Sequence, residues 1–195
     1  MKPTLAMPQP LPKLNLTHGQ VVWAMSRGRP PEQKLLDQIR YLRQLGIPFN
    51  QSELGMGRGH RARYSFDQLV ELGVGAAALR RGMTPSAVAR LLGGGRRKSL
   101  RQLYREAYLE QPEGALDADW IKGGGQAVLA KEVFLRLHNR YSATPDNIDV
   151  IRDPRRLPVV SYSVEPPMPV FSLTRLVLEL VAWAREAPET RPGPQ

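Results

Sequence analysis

Apolar residues recur at helical spacing in several short runs of this chain, and each run is bracketed by residues that start or stop helices. From Gln33 to about Leu45, Leu35, Ile39 and Leu42 form one stripe, while Lys34, Gln38, Arg40, Tyr41 and Arg43 fill the other positions. This spacing predicts an amphipathic helix that stops at Gly46, two residues before Pro48. Upstream, Thr17 is placed to cap a short helix, THGQVVWAMS, that turns Val21, Val22, Trp23 and Met25 to a core. The segment Arg27-Gly28-Arg29-Pro30-Pro31 makes a turn between the two, with Pro31 suited to the first position of the second helix. Two helices joined by a short turn, the second of them basic, form a helix-turn-helix candidate.

Beyond Pro48 the pattern changes. Glycines at 55, 57 and 59 forbid a stable helix and predict a hairpin or loose wing between Ile47 and Tyr64. Ser65 or Asp67 then caps a helix carrying Leu69, Val70, Leu72 and Val74, which Gly82 ends. Gly73 and Gly75 inside it each cost roughly 1 kcal/mol relative to Ala, unless close packing needs them. Thr84-Pro85 restarts the chain as an N-cap followed by a proline, with Val88, Leu91 and Leu92 on one face, and the glycines at 93 to 95 close the unit.

The second half is less regular. Leu100, Leu103, Tyr104, Ala107 and Tyr108 predict a helix over Ser99 to Leu109 that Arg96, Arg97, Lys98, Arg101 and Arg105 keep basic, as a connector or an extension of a polyanion surface. Residues 111–125 are turn-rich and acidic. Residues 127–141 have helix-forming composition, yet Val133, Leu135, Leu137 and Tyr141 alternate as a strand would; a helix is the expectation. Leu157 to Val164 reads as a short strand between prolines. From Ser172 to Arg185, Leu173, Leu176, Leu180 and Trp183, widened by Val177 and Ala184, make a seam. It suits either a second copy of the chain or the chain's own core. The organisation expected is a proline-rich mobile arm (1–16), a winged helix-turn-helix domain (17–93), a basic connector helix (94–110), an α or α+β domain with a dimerisation helix (111–187) and a disordered tail (188–195). The fold class is thus mainly α with a small β wing.

Charge sharpens this picture. Met1 to Glu110 holds 18 Lys and Arg against seven Asp and Glu; the remainder holds ten against eleven. A basic surface confined to one half of the chain is the electrostatic footprint of a phosphate-backbone binder. The absence of cysteine removes disulfides, thiolate metal sites and cysteine nucleophiles together. No apolar run approaches the roughly 20 residues that span a bilayer, so a cytoplasmic, nucleoid-associated location is expected. Enzymatic motifs fail on inspection. Gly55-Met56-Gly57-Arg58-Gly59 lacks the spacing of a dinucleotide fingerprint, and Gly93 to Ser99 lacks the order of a phosphate loop. His18, His60 and His138 are scattered, and Asp146, Asp149 and Asp153 do not match a calcium loop. No catalytic activity, metal or cofactor is therefore expected.

With these residues in view, the chain from about Thr17 to Leu92 resembles the DNA-binding domain of the MerR family of bacterial transcription regulators. Ile39-Arg40-Tyr41-Leu42 leading to Gly46-Ile47 is similar to the Leu-Arg-Tyr-Tyr run and Gly-Leu-Leu that end the family's second helix. Gly59-His60-Arg61-Ala62-Arg63-Tyr64-Ser65 is similar to the close of its wing, and RRGMTPSAVARLL echoes its final helix pair. Leu42 stands where the family has a second tyrosine, and the wing has one extra residue.

The resemblance implies a duplex-DNA partner, backbone contacts from Arg40 and Tyr41, and a homodimer that distorts its operator. From the residues themselves, Lys34, Gln38 and Arg29 suit base edges or phosphates, with Arg27 and Arg43 beside them. Arg58, His60, Arg61, Arg63 and Tyr64 crowd the wing, where arginines suit phosphates or a narrow minor groove. Tyr41 and Tyr64 suit the core equally well, with a hydroxyl at the rim. The dimer seam expected comprises Leu173, Leu176, Val177, Leu180 and Trp183. An architectural or recombination accessory protein, excisionase-like or phage-encoded, would use the same fold, and an RNA-binding module would use the same basic face. A regulator leaves room for a small-molecule or protein effector, which the C-terminal half does not identify.

Overall fold

The structure, a computed structural model, describes residues 10–49, 62–111, 131–137, 148–153, 155 and 170–188. It is mainly helical with a small antiparallel sheet. In chain order the elements are α1 (His18–Met25), α2 (Gln33–Gln44), α3 (Phe66–Arg80), α4 (Pro85–Leu92), α5 (Arg96–Leu109), β1 (Phe134–Leu137), β2 (Ile148–Ile151), β3 (Val170–Ser172) and α6 (Leu173–Arg185). Among the described residues no helix is long and apolar enough to cross a membrane.

Local chemistry sets most helix ends. Thr17 caps α1 through a capping box with Gln20, and Ser65 does the same for α3 with Gln68. Thr84 accepts from the Ala87 amide at the start of α4, with Pro85 in its first turn. Gly46 and Gly82 take left-handed backbone just past α2 and α3, where a Cβ would be strained. Two boundaries differ from expectation. Helix α2 starts at Gln33 after an N-cap at Glu32, so Pro30 and Pro31 belong to the turn. Helix α5 starts at Arg96, three residues before Ser99.

Helix α3 is the axis of the molecule. It is buried at Phe66 and Asp67 and then continuously from Leu69 to Ala78, because α2, α4, α5 and α6 pack around it. Its two internal glycines are contact points: a Cβ at Gly73 would collide with the Leu180 side chain of α6, and one at Gly75 would lie 3.0 to 3.1 Å from Leu42 and Leu92. Close packing therefore offsets the helix propensity they forfeit.

The sheet order is β2-β1-β3, antiparallel throughout, with Leu135 opposite Val150 and Phe171. The strand β1 corrects the helix expected over 127–141. Val133, Leu135 and Leu137 are buried while Phe134 and Arg136 are not, so the period-two alternation wins over helix-forming composition. The hairpin expected at Ile47–Tyr64 lies mostly outside the described residues, as does the strand expected at Leu157–Val164. What the structure places there is one antiparallel bridge, Leu16 to Tyr64.

Among the described residues, one large apolar cluster draws on positions from Leu16 to Ala184. The arm expected to be mobile contributes to it: Leu16 is buried and Leu11 and Leu14 pack against it. The basic connector joins it through Leu100, Leu103, Tyr104, Ala107 and Tyr108. So does α6. Leu173, Val177 and Leu180 are buried against α1, α3 and α5, and Leu176 and Trp183 are partly buried against the same cluster. Of the two uses the α6 stripe allowed, the structure shows the one within the chain's own core.

Candidate nucleic-acid interface

Helix α2 is anchored by three side chains and leaves the rest of its surface to solvent. Leu35 and Ile39 pack with Val22 of α1, and Leu42 is buried against Gly75 of α3. On the remaining faces Lys34, Arg40, Tyr41 and Arg43 are exposed and Gln38 is partly so. Tyr41, at 41% exposure, is one of two large apolar side chains left in solvent among the described residues, so it is not a core residue. Asp37 lies among these cations, accepting from Gln33 at 2.9 Å and pairing with Arg40 at 3.3 Å. Both partners of that pair are mostly exposed, so it holds Arg40 only weakly.

The turn before α2 adds two arginines. Arg29 is exposed, and Arg27 adopts a left-handed backbone while its guanidinium meets Glu179 of α6 at 2.7 Å. Gly28 sets this approach, since a Cβ there would come within 2.5 Å of the Trp183 ring.

At the other end of α2, Arg43 faces the start of α1. Its charge lowers the proton affinity of His18, which burial already lowers, and the His18 Nδ1 lies 3.5 Å from the Tyr64 hydroxyl. Tyr64 itself is fully buried against Phe49, with ring centroids 5.0 Å apart, and burial raises its pKa. It fills the core reading; its ring is not available to a base or sugar. Arg63 next to it is exposed and donates to the Asn15 carbonyl at 3.4 Å. Arg58, His60 and Arg61 lie outside the described residues.

The basic helix α5 uses its arginines mainly inward. Arg97 and Arg101 reach Glu71 of α3, at 2.8 and 3.0 Å, and both donate to the Pro48 carbonyl. The Arg97 contact is an ion pair without the alignment of a hydrogen bond. Burial pushes the Glu71 carboxyl upward in pKa and the two guanidiniums oppose that shift. Arg105 pairs with Asp67 one turn earlier on α3. Tyr104 is fully buried in the same layer, its hydroxyl without a hydrogen-bond partner among the described residues and its pKa driven far upward by burial. This layer locks α5 to α3 and was missed in the sequence, although its signal was there. Acids at 67 and 71 share one face of a helix, and arginines at 97, 101 and 105 share one face of another.

Two further cations escaped the reading of the sequence: Arg80, exposed at the end of α3, and Arg81, whose guanidinium donates to the Ala77 carbonyl at 3.2 Å and stands 4.8 Å over the Phe171 ring. Among the described residues no group of three His, Asp or Glu is placed to hold a metal ion. Comparison with models of known protein families, with curated proteins and with solved structures gave no match.

Proposed function

We propose that this chain is a sequence-specific duplex-DNA-binding protein acting as a transcription regulator, with α2 as the element that enters the major groove. The observation that carries the reading is the division of α2. Three apolar side chains fix it to the body, and Lys34, Gln38, Arg40, Tyr41 and Arg43 are left outward on a helix joined to α1 by a short arginine-bearing turn. A helix of this width fits the major groove, Lys and Gln offer donors suited to guanine and adenine edges, and Arg40 and Arg43 suit phosphates. The N-terminal bias of positive charge supports the same partner. Pairing of two copies through Leu173, Leu176, Val177, Leu180 and Trp183 is not part of this proposal, because those side chains are committed to the chain's own core.

The reading is tested by titrating the full chain against labelled duplex DNA with excess structured RNA as competitor, alongside a variant in which Lys34, Arg40 and Arg43 are all alanine. Duplex binding that survives the competitor and collapses in the variant is expected. Equal binding by the variant, or displacement by RNA at stoichiometric amounts, would overturn it.

A further inference from the structure

We propose that the groove between α5 and the edge strand β2 binds an elongated apolar small molecule carrying one carboxylate, with the carboxylate at the Arg96 end. None of the residues lining the groove belongs to α2 or its turn, so this site stands apart from the DNA-binding reading.

The sheet stands away from α5 at its edge. Phe171, Leu135 and Val150 lie opposite one another across β3, β1 and β2, so their side chains share one face of the sheet. The first two are buried, whereas Val150 is 39% exposed. It lines a cavity of about 410 Å³ whose apolar floor is completed by Leu91 of α4 and by Leu100 and Leu103 of α5. That volume falls within the range of small-molecule sites, roughly 300–1,000 Å³.

The polar groups divide between the two ends. At one end Glu106 accepts from Gln102 on its own helix at 3.0 Å and from Arg152, just past β2, at 3.2 Å, so this acid is engaged twice and ties α5 to the sheet. At the other end Arg96 and Ser99 line the groove in the first turn of α5. Gly95 supplies no side-chain cap there and the turn holds no acid, so the positive end of the helix is not offset from within it. The whole lining carries two guanidiniums against one carboxylate. Its net charge of one matches a carboxylate better than a doubly charged phosphate, and an anion is favoured where Arg96 and the helix start coincide. Ten positions separate Arg96 from Glu106, about 15 Å along the helix axis. The body of the ligand is therefore long and apolar, lying over the aliphatic floor between the two ends.

The test is isothermal titration calorimetry of the full chain with decanoate and with decanol, which share an alkyl chain and differ in charge. Four proteins are compared: wild type, Arg96→Ala, and two variants that fill the groove from opposite walls, Val150→Trp and Ser99→Trp, both at solvent-exposed positions. Wild type is expected to bind decanoate saturably and decanol about tenfold more weakly, as loss of a charge-assisted contact requires. Arg96→Ala should reduce decanoate to the level of decanol, and either tryptophan variant with an unchanged thermal transition should bind neither. No saturable binding of decanoate by wild type up to about 1 mM would overturn the site. So would wild-type affinity in whichever tryptophan variants fold. Equal affinity of wild type for decanoate and decanol, or an undiminished preference for decanoate in Arg96→Ala, would overturn the assignment of the carboxylate to the Arg96 end.

Discussion

Arg43 sits where the end of α2 meets the start of α1, and its guanidinium acts on two neighbours at once. Burial and then Arg43 lower the pKa of His18 from its ordinary value near 6.5, so the folded protein disfavours the imidazolium. The unfolded chain binds this proton more readily, and stability should fall as pH drops from about 6.5 through the lower folded value. Below that value the loss is complete. Urea unfolding across this range should show the drop in wild type and not in His18→Gln; equal pH dependence in both would remove His18 as its source. On the outer side of α2, Arg40→Ala should weaken binding to all DNA sequences alike, with a salt slope shallower by about 0.9, as loss of one backbone contact requires. Gln38→Ala should instead change the order of preference among sites, a contact with base edges being worth about 1–3 kcal/mol of discrimination. An Arg40→Ala defect confined to one sequence would contradict this division of labour.

Among the elements, α3 concentrates the commitments that sequence periodicity hides. Its ten consecutive buried residues from Leu69 to Ala78 leave no polar face to expose there, because four helices cover it. Gly73→Ala should destabilise by about 1–3 kcal/mol, since Leu180 must give way in a packed core. Glu71→Ala should cost about 3 kcal/mol, the low end for a broken buried pair because Arg97 and Arg101 keep some access to water. Denaturant midpoints for both variants check these values, and neutral effects at both sites would mean that α3 does not pack as described. Caps and turns were legible in advance at Thr17, Ser65, Gly82 and Thr84, where one or two residues decide the geometry. The strand β1 was not. Its partners lie at Ile148–Ile151 and Val170–Ser172, so the interaction that makes it a strand is not local to its own sequence. The stripe on α6 is buried as its spacing predicts, yet periodicity alone cannot say whether a second copy or α1, α3 and α5 bury it.

For the whole molecule, one apolar cluster among the described residues draws on positions from Leu16 to Ala184, and a smaller one joins Val22, Leu35 and Ile39. Composition and charge change near residue 110, but packing does not follow them. A chain ending before α6 should therefore lose its cooperative thermal transition instead of leaving a stable N-terminal domain, because Gly73, Gly28 and the apolar faces of α1 and α5 would lose their cover. A sharp transition in that shortened chain would support separate domains. The same integration links the candidate surface to the body: α6 positions Arg27 through Glu179, and α5 pins the Pro48 carbonyl at the exit of α2. Of the DNA-contacting residues expected from the sequence, those on α2 and its turn are brought together in solvent, Tyr64 is withdrawn into the core, and Arg58, His60 and Arg61 lie outside the described residues. The measurement that bears most directly on the central claim is selection from a pool of randomised duplex DNA by the full chain and by Gln38→Ala, followed by sequencing of what is retained. An enriched motif is expected for wild type, with preferred bases that change in the variant. Retention without a motif, or one motif shared unchanged by both proteins, would contradict α2 as the element that reads DNA.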